Sequence, residues 1–215
     1  MNDRTKLLAG ILVFGSLWGF SECIIGPMLS NAELPSGLFM SAIFAMFFLT
    51  ISRLMYKTKG MQTGMGLVAG TLRFFNPFGA CHICSAIAIG ATGLIYEIIV
   101  NKLTPLDLRD IKSLTTKVGL GILTGYSVYV GGYFITQILT PLSFGSFYIQ
   151  NFIVALPSIL AAGLPAALLG GTVLPATLQI SKLDLKLADR LYYPVTIGVS
   201  MFCWIVVITN FLMIT

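Results

Sequence analysis

Residues 7–29 read Leu7-Leu-Ala-Gly-Ile-Leu-Val-Phe-Gly-Ser-Leu-Trp-Gly-Phe-Ser-Glu22-Cys-Ile-Ile-Gly-Pro-Met-Leu29. One acid, Glu22, interrupts a run that is otherwise apolar or small. Coiled as an α-helix at about 1.5 Å per residue, the run reaches roughly 34 Å, enough to cross a hydrocarbon core of about 30 Å. No small-residue cleavage site follows it, so it reads as a resident span and not as a removable signal peptide.

The same pattern recurs along the chain. Apolar stretches at approximately 36–56, 61–75, 82–100, 118–140, 150–180 and 193–214 join the first, separated by short polar clusters. The composition agrees: of 215 residues 56% are hydrophobic and only 10% charged, and the mean hydropathy is +0.91. An ordinary soluble domain is about 25% charged, and one of about 150 residues hides only roughly 70% of its surface on folding. Soluble enzymes, nucleic-acid-binding domains and disordered chains are therefore excluded. The expected fold is an all-α, polytopic transmembrane bundle of six or seven helices forming one domain over 1–215. The third stretch is short, ending at Arg73 and the Asn76-Pro77 break. The sixth contains Pro157, Pro165 and Pro175 and is predicted to be kinked or split.

The charges then orient the bundle. Twelve of the thirteen Lys and Arg residues precede the first stretch or follow the second, fourth and sixth; Arg73 alone lies on the other side. By the positive-inside rule the N-terminus is cytoplasmic. This split predicts that 61–75 also crosses. The net charge of +5 thus marks loops that meet anionic lipid, and no nucleic-acid partner is needed. Segment 101–117 mixes charges with leucines and isoleucine. It reads as an amphipathic surface helix, a docking site for a cytoplasmic partner, or a plain linker.

The polar residues left inside the membrane zone gather toward the outer face. Glu22 and Cys23 lie near the outer end of the first stretch, and Arg73 and Asn76 close the third. Cys81, His82 and Cys84 open the fourth, and Tyr148, Gln150 and Asn151 begin the sixth. Ionisable groups at membrane depth are expensive, which makes this cluster the candidate site. Gly15 and Gly19, continued by Gly26, form a small-residue stripe that lets another helix approach closely. That stripe places Glu22 and Cys23 beside an interhelical surface. Glu22 then either serves a ligand, pairs with Arg73, or bonds across the bundle.

Cys81-His82-Ile83-Cys84 is the most distinctive tetrapeptide. Thiolates and imidazole bind zinc, nickel, cobalt or copper, and Cys23 with His82 or Glu22 would complete a set. A C-x-x-C at a helix N-terminus also suits thiol–disulfide exchange, because the helix dipole stabilises a thiolate. Two small buried residues or a static disulfide is the plain alternative. Glu97 lies too far from His82 to share its site, since fifteen residues rise about 22 Å; it caps or packs a helix beside Tyr96, or couples to cytoplasmic machinery. Cys203, beside Trp204, reads as core. His82 is the only histidine, so haem held by two histidines within one chain is excluded. Neither a phosphate loop nor a catalytic Ser/His/Asp arrangement is present.

Residues 8–26, with Gly15-Ser-Leu-Trp18-Gly19 followed by Glu22 and Gly26, resemble the opening of small prokaryotic membrane proteins similar to the substrate-binding (S) components of energy-coupling factor transporters. The similarity continues in Leu34-Pro35, Gly37-Leu38, Phe47-Phe48, Gly60, Gly64, Asn76-Pro77 and Glu97, covering about the first half of the chain. It implies a six-helix subunit of the plasma membrane that captures a vitamin or metal ion from outside. Such a subunit works with a transmembrane coupling subunit and two cytoplasmic ATPases, and Ala9, Gly15 and Gly19 become candidate contacts to the former. Seven spans and the Cys23/Cys-His-Ile-Cys set depart from that pattern. A looser similarity, a glycine-rich helix followed by a membrane cysteine, extends to thiosulfate permeases.

The function expected from the sequence is a transport subunit binding a small solute or metal ion in an outward-facing site. Glu22, Arg73 and Asn76 would meet the substrate, and Cys23, Cys81, His82 and Cys84 would meet a transition metal. The alternatives are a thiol–disulfide oxidoreductase built on Cys81 and Cys84, or a non-catalytic subunit of a larger membrane complex.

Overall fold

A computed structural model of the chain describes residues 3–76, 81–104, 107–145, 149–180 and 189–214. Among them are seven main helices and no strand. Helix α1 runs Asp3–Phe20, passes through a π-helical stretch at Ser21–Ile25 and resumes over Gly26–Asn31. Helix α2 is built likewise, from Ser36–Phe39, a π-helical stretch at Met40–Ala45, and Met46–Met55. There follow α3 (Met61–Arg73), α4 (His82–Leu103), α5 (Leu114–Ser143), α6 (Ile149–Ile180) and α7 (Asp189–Ile214). All but α3 are long and apolar enough to cross a membrane. The chain is a multi-pass helical membrane bundle.

The structure refines two expectations about the spans. The stretch at 61–75 forms only thirteen helical residues, about 20 Å, shorter than a hydrocarbon core of about 30 Å. It is tolerated because α3 packs between α1 and α4 with Met61, Met65, Ala69 and Leu72 fully buried. The sixth stretch is one unbroken helix despite its three prolines. Among its described residues, segment 101–117 forms no amphipathic helix of its own. It contributes the end of α4, one 3₁₀ turn at Leu108–Asp110 and the start of α5. Leu108 is buried in the main apolar cluster, with Ile111 packed against it, which holds the segment to the bundle.

Side-chain bonds gather the basic ends of the helices on one side. Arg53 at the end of α2 donates to Asn101 at the end of α4, 2.7 Å. Lys57 pairs with Asp107. Partial burial raises the Asp107 carboxyl, but the Lys57 hydrogen bond and charge, with the Arg109 N–H, hold it below the ordinary aspartate value. Tyr56 and Tyr192 share a hydrogen bond, and Tyr192 also donates to the Lys6 carbonyl at 3.2 Å, tying α2 and α7 to the start of α1. Of the twelve cations assigned to this end, Lys182, Lys186 and the Arg190 side chain lie outside the described residues.

Glu97 completes this end. Its carboxyl accepts from the Gly60 amide, from the Thr63 amide at 3.0 Å and from the Thr63 hydroxyl at 2.7 Å. Gly60 has φ of 88°, a left-handed conformation that glycine adopts without strain. The first turn of α3, whose amides have no intrahelical partner, is thus capped from α4. This is the capping role expected for Glu97 beside the buried Tyr96, whose hydroxyl shares a 2.9 Å bond with Thr50.

The helices themselves meet backbone to backbone. Lipid supplies no hydrophobic drive between helices, so close van der Waals contact at small residues must. A Cβ on Gly70 would stand 2.5 Å from the Ala86 carbonyl oxygen, and one on Gly93 2.4 Å from that of Gln62. Across α5 and α6 a Cβ on Gly121 would stand 2.3 Å from the Gly170 oxygen. Gly15 and Gly19 face α3 in the same way, against Val68 and Leu72. They serve packing within the chain, whereas Ala9 is half-buried. Gly26 makes only ordinary contact with Met40.

Two expected outcomes follow from these contacts. Gly121→Ala forces backbone apart and is expected to cost roughly 1–3 kcal/mol. Gly119→Ala, where a Cβ meets nothing, gains up to about 1 kcal/mol of helix propensity; thermal unfolding in detergent compares the two. Glu97→Ala leaves the amides of Gly60 and Thr63 without an acceptor, at about 1–3 kcal/mol each. Hydrogen exchange in the first turn of α3 is expected to rise in this variant and much less in Glu97→Gln.

Candidate functional site

At the end opposite the basic residues, α1, α2, α3, α4 and α5 surround a cavity of about 460 Å³. A second chamber of about 310 Å³ adjoins it and shares Glu22, Ser36, Gly37, Met40 and Arg73 as its wall. Both π-helical stretches border this space, giving Glu22 from α1 and Met40 and Ser41 from α2. The first has an identifiable cause. Pro27 offers no amide and its ring crowds the carbonyl four residues earlier, that of Cys23. The ladder slips by one residue there, so Gly26 donates to Ser21 instead, and the widened turn presents Glu22 to the cavity.

Glu22 is held from two directions. The indole of Trp18, one turn earlier and itself 1% exposed, donates to its Oε1 at 3.2 Å. Arg73 donates from Nη1 to the Glu22 carbonyl oxygen at 3.4 Å. Arg73 occupies the last turn of α3, where the outward-pointing carbonyls favour a cation. The Trp-Gly-x-x-Glu spacing therefore divides its work: Gly19 admits α3, Trp18 fixes Glu22, and Glu22 faces the cavity beside the Arg73 that α3 delivers. Asn76, fully buried in the turn after α3, lines the second chamber.

The three residues expected to meet a substrate, Glu22, Arg73 and Asn76, are thus brought together. The expected metal set is not. Cys23 points away from the cavity, 2% exposed among Leu72 and Val207, with its thiol donating to the Leu72 carbonyl at 3.4 Å. Cys81 and Cys84 are joined as a disulfide. Among the described residues no three His, Cys, Asp or Glu side chains converge on a point where a metal ion would sit. His82 is the first residue of α4 and lines neither chamber. Gln150 is exposed; Tyr148 and the Asn151 side chain lie outside the described residues. Cys203 is buried, as its place beside Trp204 suggested.

The disulfide lies close to the cavity rim. Cys81 caps α4 by accepting from the Cys84 amide at 3.2 Å, and Ser143 at the end of α5 has its hydroxyl 3.6 Å from one sulfur and 3.7 Å from the other. The next residue, Ser85, lines the cavity while donating to the Cys81 and His82 carbonyls.

Sequence reasoning missed the rest of the lining. Tyr129, Gly132, Tyr133 and Thr136 come from α5, and Ser85, Ala88, Ile89 and Thr92 from α4. Their spacing is the one-face period of a helix, and polar side chains repeating on one face of an apolar span were the available signal. The Tyr129 and Tyr133 rings stand 6.0 Å apart and form an aromatic wall.

Fold and site define a class: a multi-pass helical membrane protein with a ligand-sized, mixed polar and aromatic cavity at the end away from its basic loops. Comparison of the chain with protein-family models, characterised proteins and solved structures gives no match, so the assignment rests on the cavity itself.

The thiol inventory is directly checkable. Denatured, unreduced protein is expected to take up alkylating reagent at two cysteines, Cys23 and Cys203, and at all four after reduction, as read by mass spectrometry. Four modified cysteines without reductant would show that Cys81 and Cys84 are free.

Proposed function

We propose that this chain is the solute-binding subunit of a membrane transport system, taking a small organic solute from the outer face of a prokaryotic plasma membrane. The observation that carries this reading is the cavity at the end opposite the cationic loops, with Glu22 and Arg73 on its wall. A volume of about 460 Å³ falls within the range of sites for small molecules. By the positive-inside rule its mouth faces outward. The sequence holds no nucleotide-binding loop, so energised uptake requires partners, as the resemblance to energy-coupling factor S components implies: a coupling subunit and cytoplasmic ATPases.

The cavity predicts a labelling pattern. With Cys23 and Cys203 buried, cysteine introduced at Ser41 or Thr136 is expected to react in intact cells with a membrane-impermeant maleimide. Cysteine at Lys112 is expected to react only after the cells are broken. The reverse pattern would place the cavity on the cytoplasmic side and end this reading. Affinity purification from native membranes is expected to bring down an ATPase.

A second reading is favoured by one observation, the Cys81–Cys84 disulfide at the N-terminus of α4. A thiol–disulfide oxidoreductase would take two electrons from an external dithiol, leaving Cys81 and Cys84 as thiols and the dithiol as a disulfide, and then pass them to a quinone, which becomes the quinol as the Cys81–Cys84 bond re-forms. Double replacement by serine would then abolish turnover of that partner while leaving solute binding untouched. A pair that stays inert to both reagents is a structural staple.

A further inference from the structure

The chemistry of the cavity lining bears on what kind of solute it takes, an inference that rests on the transport reading above. Most of the polar side chains lining the larger chamber are hydroxyls. Ser36 and Ser41 come from α2, and Tyr129 and Tyr133 from α5. Among the described residues no hydrogen bond engages any of these four hydroxyl groups. Ser85, Thr92 and Thr136 line the chamber as well. Each of them already donates to a backbone carbonyl one turn earlier, which leaves its oxygen as an acceptor. The lining therefore offers donors and acceptors together, from α2, α4 and α5. Glu22 and Arg73 bring one residue of each sign to the wall that the two chambers share, which favours neither a cation nor an anion over the other.

Tyr133 is 39% exposed, so water reaches this wall and bonds its hydroxyls before a solute enters. A solute that displaces ordered water keeps its affinity only where its own groups reproduce the lost bonds. A hydrocarbon or plain aromatic solute reproduces none of them. A ring with a hydroxyl on most of its carbons meets donors with acceptors and acceptors with donors all along its edge. The C–H groups of its face carry a weak positive charge, which suits the negative face of an aromatic ring. Tyr129 and Tyr133, 6.0 Å apart and inclined at 32°, supply two such rings.

We propose that the cavity takes a neutral polyhydroxylated ring of monosaccharide size, its edge bonded to the hydroxyls of α2, α4 and α5 and its C–H face on Tyr129 and Tyr133. The hydroxyls are the recognised element, and an added charge on the solute contributes nothing.

The probes are D-glucose and D-galactose, the 2-amino sugar and the uronic acid of each, and cyclohexanol. Binding to the full chain in nanodiscs is read by calorimetry and by protection against thermal unfolding. At least one of the two neutral sugars is expected to bind, and its charged forms no more tightly than it does. Cyclohexanol, which keeps a ring with a single hydroxyl, is expected to show no saturable binding. Ser41→Ala and Tyr129→Phe each remove one hydroxyl and keep the rest of the lining. Each is expected to weaken binding of the sugar about three- to tenfold, the net worth of one hydrogen bond. Failure of both neutral sugars to bind overturns the proposal, as does equal binding of cyclohexanol. Tighter binding of an amino sugar or uronic acid than of its parent overturns it too, since the wall would then be reading charge. So does an unchanged affinity in both variants. Where a variant does not fold, the comparison of probes on the natural chain still decides. The labelling pattern above involves no sugar, so the solute class can fail while the outward-facing cavity holds, and the converse.

Discussion

The structure depends on how closely α3 lies against its two neighbours. Within a bilayer, apolar side chains gain nothing by leaving lipid for protein, so association rests on contact distance. On one side Gly15 and Gly19 of α1 admit Val68 and Leu72 of α3. On the other Gly66 and Gly70 lie against Ala86 and Gly90 of α4 with almost no side chain between. A helix of thirteen residues, too short to span alone, is thereby held inside the bundle. Its start is capped by Glu97 and its end leaves Arg73 within the membrane zone, next to Glu22. Remove the small residues and the cation would have no route to that depth.

The π-helical stretches work on this frame. A regular helix through Pro27 would set the proline ring against the Cys23 carbonyl; slipping the ladder by one residue avoids the clash. It also rotates everything before the bulge relative to everything after it. Cys23 faces α3 and α7 as a result, and Glu22 faces the cavity. The two adjacent residues, both candidates for one site by sequence position, end on different surfaces.

Much of this was legible beforehand. All seven helices stand where apolar runs predicted them, because that signal is summed over many residues. That Glu22, Arg73 and Asn76 would share one chamber wall was legible because a polar group in an apolar run is conspicuous. The metal reading of Cys23 with Cys81, His82 and Cys84 depended on helix rotation and on pairing, which a list of residues near one face does not contain. The α5 wall was overlooked for another reason: tyrosine and threonine are unremarkable in a span, and only their spacing at 129, 133 and 136 marks them. The shortness of the helix at 61–75 was not legible in the charges, because charge counting records on which side a loop lies, not how much helix precedes it.

The glycine seams also divide the molecule into parts that can and cannot vary. Where Gly70 meets Ala86, and Gly121 meets Gly170, there is no layer of side chains to repack, so any added atom displaces a whole helix. The cavity face of α5 is different: Tyr129, Tyr133 and Thr136 project into the cavity one turn or more beyond the backbone contacts that α5 makes with α6 at Gly121 and Gly125. Exchanging them alters the shape and chemistry of the lining while leaving that seam in register. Divergence in ligand preference is therefore expected to accumulate on α5 and at Ser36 and Ser41 of α2, while the frame that delivers Arg73 to Glu22 stays fixed.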